Sequence, residues 1–351
     1  MTPRSAKRAE RRILIVGPSW VGDMVMAQTL FATLKNELAG CTIDVLAPGW
    51  SLPILERMPE VSDAIEMPLG HGVLDIPTRW RLARHLGRRR YDQAILLPNS
   101  LKSALIPFFA GIPRRTGWRG EMRYGLLNDL RKLDKTRYPL MIQRFAALAY
   151  PEGAPLPESL PHPHLEADSD EAALLRERFE LGEDKPVLAL CPGAEFGPAK
   201  RWPPRHYAVV AGTMIERGWR VALFGSGNDR AAAEEIISEL PGAQQRECRN
   251  LAGGTRLGEA IDLLSVADAV VSNDSGLMHI AAALDRPLAV VYGSTSPGFT
   301  PPLGERVEIL SIPVDCGPCF QRECPLAHLK CLNELLPGRV LAALDRLVAG
   351  A

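Results

Sequence analysis

A strand that breaks into a tight polar turn and reopens at once as a helix constrains the fold of this chain more than any other feature. The apolar residues 269–272 lead into Asn273-Asp274-Ser275-Gly276, and an alanine-rich helical segment follows. Such junctions are typical of parallel α/β sheets, in which ligands bind where the strands end. Free backbone N–H groups at Ser275, Gly276 and Met278 favour an anion such as phosphate, and His279 adds a side-chain donor. The alternative is that Asp274 or Ser275 only caps the helix.

A second junction of this kind delivers a lysine. The apolar strand predicted at 186–191 runs into a loop of Gly, Pro and Ala residues that leads to Lys200. Small residues let a ligand approach the backbone closely, and Lys200 would neutralise a diphosphate as a mobile point charge. The alternative is a connecting loop whose lysine is solvated.

A third junction lies near the beginning of the chain and carries a carboxylate. A strand predicted at 12–17 ends in Gly17, and Gly22-Asp23 precede a helix predicted at 24–38. The glycine spacing differs from the Gly-x-Gly-x-x-Gly of dinucleotide sites. Asp23 is then either the helix N-cap or a general base at the ligand-binding edge of the sheet. A fourth loop, after a strand predicted at 219–224, offers Asp229 for a nucleoside ribose, with helix capping as the alternative.

The remaining pattern alternates strands and helices in both halves of the chain, which predicts two parallel α/β domains. Further strands are predicted at 42–47, 92–97 and 287–291, and further helices at 51–58, 204–217, 229–240, 256–266 and 276–284. Residues 151–164 hold five prolines in fourteen positions, so we expect a linker at about 151–165. The predicted domains are therefore residues 1–160 and 166–351.

Taken in order, the first three junctions resemble the ADP-heptose:lipopolysaccharide heptosyltransferases, and within that family the match favours the heptosyltransferase II branch. The resemblance implies two Rossmann-like doubly wound domains facing a cleft, the GT-B architecture. It implies an N-terminal domain that binds acceptor and a C-terminal domain that binds nucleotide sugar. The activity implied is inverting transfer of heptose from ADP-heptose to heptosyl-Kdo-lipid A, the lipopolysaccharide inner core of a Gram-negative bacterium.

The resemblance also implies roles for individual residues. Asp23 is the base, Lys200 supports the diphosphate, and residues 274–279 hold the nucleotide sugar. Where related members have hydroxyl residues before the lysine, this chain has Glu195-Phe196-Gly197-Pro198. Phosphate contacts are therefore expected from the backbone amides of Gly193 and Ala194, and Glu195 is expected at sugar hydroxyls. Since protein groups stabilise the leaving diphosphate, no metal or other cofactor is expected in catalysis.

Charge is balanced over the whole chain but not between its halves. Residues 1–160 hold 23 Lys and Arg against 15 Asp and Glu, and the remainder holds 18 against 26. A basic first half suits a phosphorylated glycolipid or an anionic membrane surface; the alternative is a solvated helix face at the arginine-rich residues 79–90.

No segment is long and apolar enough to cross a bilayer, and the basic residues 4–12 precede no signal-peptide core. We expect a cytoplasmic protein, peripheral to the inner face of the inner membrane, with no nucleic-acid partner. The apolar residues 105–112 are one candidate for the membrane contact, and the alternative is that they form an ordinary core strand or helix.

The seven cysteines fall into two groups. Cys41, Cys191 and Cys248 are scattered and expected to be buried. Cys316, Cys319, Cys324 and Cys331 lie within sixteen residues, with His328 among them. Four close thiols favour a structural metal ion, and the alternatives are reduced thiols or a disulfide.

Four functional hypotheses follow from these features. The leading one is the heptosyltransferase, and the nearest alternative is a transferase of the same family with a different acceptor. The others are a nucleotide-binding oxidoreductase and a non-catalytic nucleotide-sugar binder.

Overall fold

The computed structural model describes residues 11–70 and 72–349, so most of the basic segment at residues 4–12 lies outside the described residues. Contacts divide the chain into two units. The first comprises the described residues up to Ser19 together with Met26–Pro161, and the second comprises Trp20–Val25 and the described residues from His162 onward. Trp20–Val25 therefore groups with the second unit. The assignment of acceptor binding to one domain and nucleotide-sugar binding to the other stays a prediction.

The first unit is built on a six-stranded parallel sheet. Its elements are β1 (Arg12–Val16), α1 (Val21–Glu37), β2 (Thr42–Pro48), α2 (Leu52–Leu55), β3 (Asp63–Met67), α3 (Ile76–Gly87), β4 (Gln93–Leu96), α4 (Leu101–Phe109), β5 (Arg114–Trp118), β6 (Asp129–Arg131) and α5 (Met141–Ala146). The strand order is β3-β2-β1-β4-β5-β6. The central strands are buried apolar runs, as parallel strands covered on both faces require.

The second unit repeats this plan. Its elements are α6 (Ser169–Arg178), β7 (Val187–Cys191), α7 (Pro204–Glu216), β8 (Arg220–Leu223), α8 (Arg230–Ser238), α9 (Gly242–Gln245), β9 (Cys248–Asn250), α10 (Leu257–Ser265), β10 (Ala269–Asn273), α11 (Gly276–Ala283), β11 (Leu288–Val291), β12 (Val307–Leu310), α12 (Lys330–Asn333) and α13 (Pro337–Ala349). The order β12-β11-β10-β7-β8-β9 is parallel throughout. It is the same doubly wound order as in the first unit, read from the other edge.

This topology predicts where a ligand would bind in the second unit. In a doubly wound sheet the crevice opens at the carboxyl ends of the two central strands, where the winding direction reverses. Here those strands are β7 and β10, which pair directly from Ala269↔Leu188 to Ser272↔Cys191. The loops that begin at Pro192 and Asp274 therefore leave the sheet side by side.

Several predicted elements differ from the structure. The helix expected at 24–38 begins at Val21, which places Asp23 inside its first turn, and the helix expected at 51–58 shrinks to α2. Five strands were not predicted, namely β3, β5, β6, β9 and β12. They are short and only partly buried, so they lack the apolar run that marks β7 and β10.

Candidate active site

Lys200 and Asp274 meet at the end of the second sheet. The Lys200 ammonium lies 2.6 Å from a carboxylate oxygen of Asp274, with the two side chains 14% and 4% exposed. The same oxygen accepts a hydrogen bond from the Thr295 hydroxyl, and the ammonium also stands 4.9 Å above the Phe196 ring. The loop after β7 therefore presents its lysine at the loop after β10, as the shared sheet edge requires.

A buried asparagine joins these two loops. The Asn273 side-chain oxygen accepts hydrogen bonds from the Trp202 backbone N–H at 3.1 Å and from the Tyr207 hydroxyl at 3.0 Å. Its amide group donates to the Pro192 carbonyl at 2.5 Å. Since Asn273 has no measurable exposure, these bonds satisfy a polar group that burial would otherwise penalise. They hold the start and the end of the Lys200 loop against β10.

The first turn of α11 is open to an anion. Ser275 is its N-cap but makes no side-chain capping hydrogen bond, and its hydroxyl lies 3.3 Å from that of Ser272. The Asp274 carboxylate is engaged by Lys200 and Thr295 instead. The capping alternative is therefore not what the structure contains, and the N–H groups at Gly276 and beyond remain at the positive end of the helix dipole.

Asp23 lies in the first turn of α1, within the segment that groups with the second unit. Burial raises the pKa of its carboxyl to about 6, and the charge of Lys200 lowers it in part. Within the described residues its carboxylate forms no hydrogen bond and no ion pair, so it does not cap the helix. A partly buried, unpaired carboxylate beside a lysine has the properties of a general base.

His279 packs against the same turn. A Cβ on Gly22 would come within 2.6 Å of the His279 ring, so Gly22 is required for this close approach. Burial lowers the pKa of the imidazole to about 4, with Asp274 raising it and Lys200 lowering it further. His279 is therefore neutral at pH 7. Any contact it makes with an anion is a neutral hydrogen bond.

Comparison with known proteins decides the family. The profile of glycosyltransferase family 9 (heptosyltransferase) matches residues 79–330, well over half of the chain. The chain belongs to glycosyltransferase family 9. The resemblance found in the sequence motifs is thereby confirmed, and the family assignment favours a transferase over the oxidoreductase and the non-catalytic binder.

Relatives of this family cover nearly the whole chain. Lipopolysaccharide heptosyltransferase 2 of Salmonella typhimurium is 51% identical over 343 residues, which cover 96% of this chain and 99% of that one. Lipooligosaccharide heptosyltransferase 2 of Haemophilus influenzae is 53% identical over 308 residues, 86% of this chain and 88% of that one. The solved structure of ADP-heptose lps heptosyltransferase II from E. coli has a TM-score of 0.88 at 48% identity, and covers 97% of this chain and 99% of that one. The predicted fold class, two Rossmann-like domains of the GT-B architecture, is confirmed.

The remaining predicted glycosyltransferase residues fall into two groups. Gly193 and Ala194 lie in the Lys200 loop, where the Ala194 carbonyl accepts from the Arg201 guanidinium at 3.4 Å, and Glu195 is exposed. Met278 is fully buried, with its sulfur accepting from the Tyr292 hydroxyl at 3.6 Å, so only its backbone faces a ligand. Their roles toward a nucleotide sugar stay predictions.

Asp229 has a local structural role. One of its carboxylate oxygens accepts from the backbone N–H of Ser226 at 2.9 Å and from its hydroxyl at 2.8 Å, and the other lies 3.9 Å from the Arg201 guanidinium. The carboxylate also fills the space that a Cβ at Gly193 would need. Asp229 thus braces the Lys200 loop, and a ribose contact stays a prediction.

Sequence reasoning did not select Asn273, Thr295 or Phe196. Asn273 carried a signal, since a polar amide ends an otherwise apolar strand. Thr295 and Phe196 carried none, because their partners come from other loops. An Asp-x-Asp sequence, which binds a metal–diphosphate in glycosyltransferases of another fold, is present at Asp168–Asp170. Here Asp168 accepts hydrogen bonds from the backbone N–H groups of Asp170 and Glu171, so it caps α6.

The lipid-facing predictions concern helices and exposed side chains. No helix among the described residues has the length and apolar character needed to span a bilayer. Residues 105–112 belong mostly to α4, where Ile106 and Pro107 are buried and Phe108 and Phe109 are exposed.

Proposed function

We propose that this chain transfers L-glycero-D-manno-heptose from ADP-heptose to heptosyl-Kdo-lipid A with inversion at the anomeric carbon. The observation that carries the proposal is an unpaired carboxylate with a raised pKa, Asp23, beside a lysine at an uncapped helix N-terminus. Relatives named heptosyltransferase 2 support heptosyl-Kdo-lipid A as the acceptor. The Salmonella typhimurium protein is 51% identical, against 26% for heptosyltransferase 1 of Pseudomonas aeruginosa.

Asp23 serves as the base in this proposal. The acceptor hydroxyl gives its proton to the Asp23 carboxylate as its oxygen bonds to the anomeric carbon. The bond from that carbon to the diphosphate breaks on the opposite face, and ADP leaves with the electron pair. Negative charge grows on the diphosphate oxygens, so groups that meet those oxygens lower the barrier.

Lys200 and α11 supply that stabilisation. Asp274 neutralises Lys200, and an entering diphosphate competes for the ammonium. Asp274 and Thr295 then act as positioning residues that hold the lysine at the donor. The backbone amides of Gly193 and Ala194 and of the first turn of α11 add uncharged donors, each contributing a few kcal/mol when well placed.

The other predicted contacts complete the donor site. Glu195, exposed on the loop, binds sugar hydroxyls. Asp229 reaches the ribose through the oxygen that faces Arg201, and His279 donates as a neutral imidazole. With a lysine and helix amides at the diphosphate, the proposed mechanism uses no divalent cation. A cation at the four clustered thiols would be structural, because it would serve a loop and not the diphosphate.

The first unit is proposed to meet the membrane that carries the acceptor, at its cytoplasmic face. Trp80 on α3 and Phe108 on α4 are 47% and 41% exposed. Arg84 lies 4.9 Å over the Trp80 ring and Arg115 lies 5.5 Å over the Phe108 ring, so each aromatic group has a cation beside it. This pairing and the basic first half suit an anionic bilayer. Loss of co-sedimentation with phosphatidylglycerol vesicles in a Trp80→Ala/Phe108→Ala variant checks the proposal; unchanged co-sedimentation contradicts it.

The acceptor is tested with matched lipids. The purified protein is incubated with ADP-heptose and either Kdo-lipid A or heptosyl-Kdo-lipid A, and products are read by mass spectrometry. We expect one heptose to be added to the heptosylated lipid alone, with release of ADP. Addition of heptose to Kdo-lipid A would instead assign that lipid as the acceptor. Release of ADP without a lipid product contradicts transfer.

A further inference from the structure

Four thiols line one cavity in the segment that follows β12. Cys316, Cys319, Cys324 and Cys331 all face it, together with His328, and its far wall is formed by Ala199, Gly293 and Ser294. The four thiols therefore face the same space. The glycosyltransferase chemistry proposed above uses none of them.

The sulfur of Cys324 faces the backbone N–H groups of residues 326–329. Backbone donors of this kind also support the ligands of metal centres. His328 supports a neighbour instead of acting as a ligand. Its Nδ1 accepts from the Lys330 backbone N–H at 3.0 Å, so Nε2 carries the proton and points at the Cys316 sulfur, 4.0 Å away.

The backbone of this segment needs an external constraint. Phe320, Ala327 and Leu329 all have left-handed conformations, with φ of 54°, 54° and 45°. Each costs about 1–3 kcal/mol and persists only where the surroundings fix it. Residues 311–329 contain no helix or strand that would do so. A tetrahedral thiolate centre is a common solution in small loops.

We propose that Cys316, Cys319, Cys324 and Cys331 bind one thiophilic cation, zinc or iron, and that this cation fixes the loop that carries Lys200. Within the described residues no three His, Cys, Asp or Glu side chains converge as metal ligands as they stand. Binding therefore requires the thiols to rotate inward. Three of the four are exposed or half-exposed on loop backbone, so this rotation meets little packing.

The coupling to Lys200 follows from backbone contacts. The Ala199 N–H donates to the Arg322 carbonyl at 3.0 Å, and this carbonyl stands where a Cβ at Gly197 would be. The Phe320 N–H donates to the Ser294 carbonyl at 2.8 Å, next to Thr295. The thiol segment, residues 316–331, is thus hydrogen-bonded to Ala199 and Ser294. These two residues precede Lys200 and Thr295, which both contact Asp274.

The same segment shares a ring with the lysine. The Phe196 ring has the Lys200 ammonium 4.9 Å from its centre and the Arg322 guanidinium 5.5 Å from it. Moving the thiol segment therefore moves both the backbone and the aromatic support of Lys200. The effect of the cation on ADP binding rests on the proposed function, because that function supplies ADP-heptose as the donor. Metal binding by the four thiols does not rest on it.

Metal content tests the site itself. Reduced, chelator-treated full-length protein is given Zn²⁺ or Co²⁺, dialysed and assayed by elemental analysis and absorption spectroscopy. We expect one ion per chain, tetrahedral thiolate bands with Co²⁺, and loss of both in Cys324→Ser and Cys331→Ser. Cys248→Ala, which removes a buried thiol in β9, is the control and retains the ion. Absence of uptake, equal uptake in all variants, or a metal-free Cys316–Cys319 disulfide in protein purified without reductant overturns the proposal.

Titration calorimetry with ADP tests the coupling. Removing the ion weakens ADP binding by about fivefold or more, the lower end of ordinary coupling between sites, and ADP tightens retention of the ion by the same factor. Equal ADP affinity with and without the ion overturns the coupling. If metal-loaded protein binds one ion per chain but no ADP, the proposed donor is wrong while the thiol site stands.

Discussion

At the scale of single residues, Asp23 is the group whose pKa bears most directly on the proposed transfer. Burial raises the pKa of its carboxyl to about 6, against 3.8 for an unperturbed aspartate, while Lys200 acts in the opposite direction. A base is most effective when its pKa lies near the working pH, because it is then both ionised and basic. The two opposing effects together place Asp23 in that range.

Replacing Asp23 with Asn removes the base but keeps the size of the side chain. We expect the turnover number for heptosyl transfer to fall by about 10²–10⁴-fold, the ordinary contribution of acid–base catalysis, with ADP affinity by calorimetry unchanged. Retention of more than about a tenth of the wild-type rate would leave Asp23 with a structural role only.

The same variant measures what burial of the charge costs. The folded pKa lies above the unfolded value, so the ionised carboxylate opposes folding, fully so above pH 6 and not at all below pH 3.8. The rise in the pKa of Asp23 from 3.8 to about 6 corresponds to at most about 3 kcal/mol. Asp23→Asn should therefore raise the free energy of unfolding by denaturant at pH 7, and the gain should shrink toward pH 4. A gain that is the same at both pH values would contradict the burial argument.

The pH profile separates Asp23 from its neighbour. Transfer requires ionised Asp23, so kcat/KM should decline as pH falls through about 6. Lys200→Ala removes the charge that lowers this pKa, and the acid limb should then move to higher pH, whatever the loss in donor binding. Lys200→Arg keeps the charge and serves as the control. An acid limb that stays in place in Lys200→Ala would remove Asp23 as its source.

At the scale of elements, the site depends on where parallel strands end. The sequence was sufficient to predict the junctions after β1, β7 and β10, because an apolar run followed by small and polar residues marks each of them. It could not predict that Asp274 pairs with Lys200 and Thr295, since these partners lie on separate loops and only the sheet order brings them together. It also missed where α1 begins, because Val21 and Gly22 carry no capping signal.

The backbone of α1 at Gly22 approaches the His279 side chain of α11 closely. A Cβ at Gly22 would meet the His279 ring at 2.6 Å, in the turn that carries Asp23. Gly22→Ala should therefore displace Asp23 and lower the turnover number by about tenfold, as expected for a misplaced catalytic group. Gly242→Ala, where nothing lies within 4 Å, is the control. Wild-type turnover in Gly22→Ala would show that the turn tolerates the shift without harm to the base.

At the scale of the whole molecule, the chain uses one topology twice, and the charged groups of the proposed donor site belong to the second copy. Both sheets have the doubly wound order, yet Lys200, Asp274 and the open turn of α11 all belong to the second unit. The excess of basic residues lies in the other half, with 23 Lys and Arg against 15 Asp and Glu in residues 1–160. Under the proposed function, donor chemistry rests on a few placed groups, and the excess of positive charge in the first half suits an anionic acceptor surface.

Two separate questions about metal can be resolved in the intact protein. If Lys200 and helix amides stabilise the diphosphate, transfer should proceed in EDTA without added magnesium, because no step needs a cation there. If EDTA also strips an ion from the thiols, the effect should develop with the loss of that ion and raise the KM for donor, since the thiol segment acts by positioning Lys200. Zinc, not magnesium, should reverse it. Immediate loss of turnover that magnesium alone restores would contradict the metal-independent mechanism.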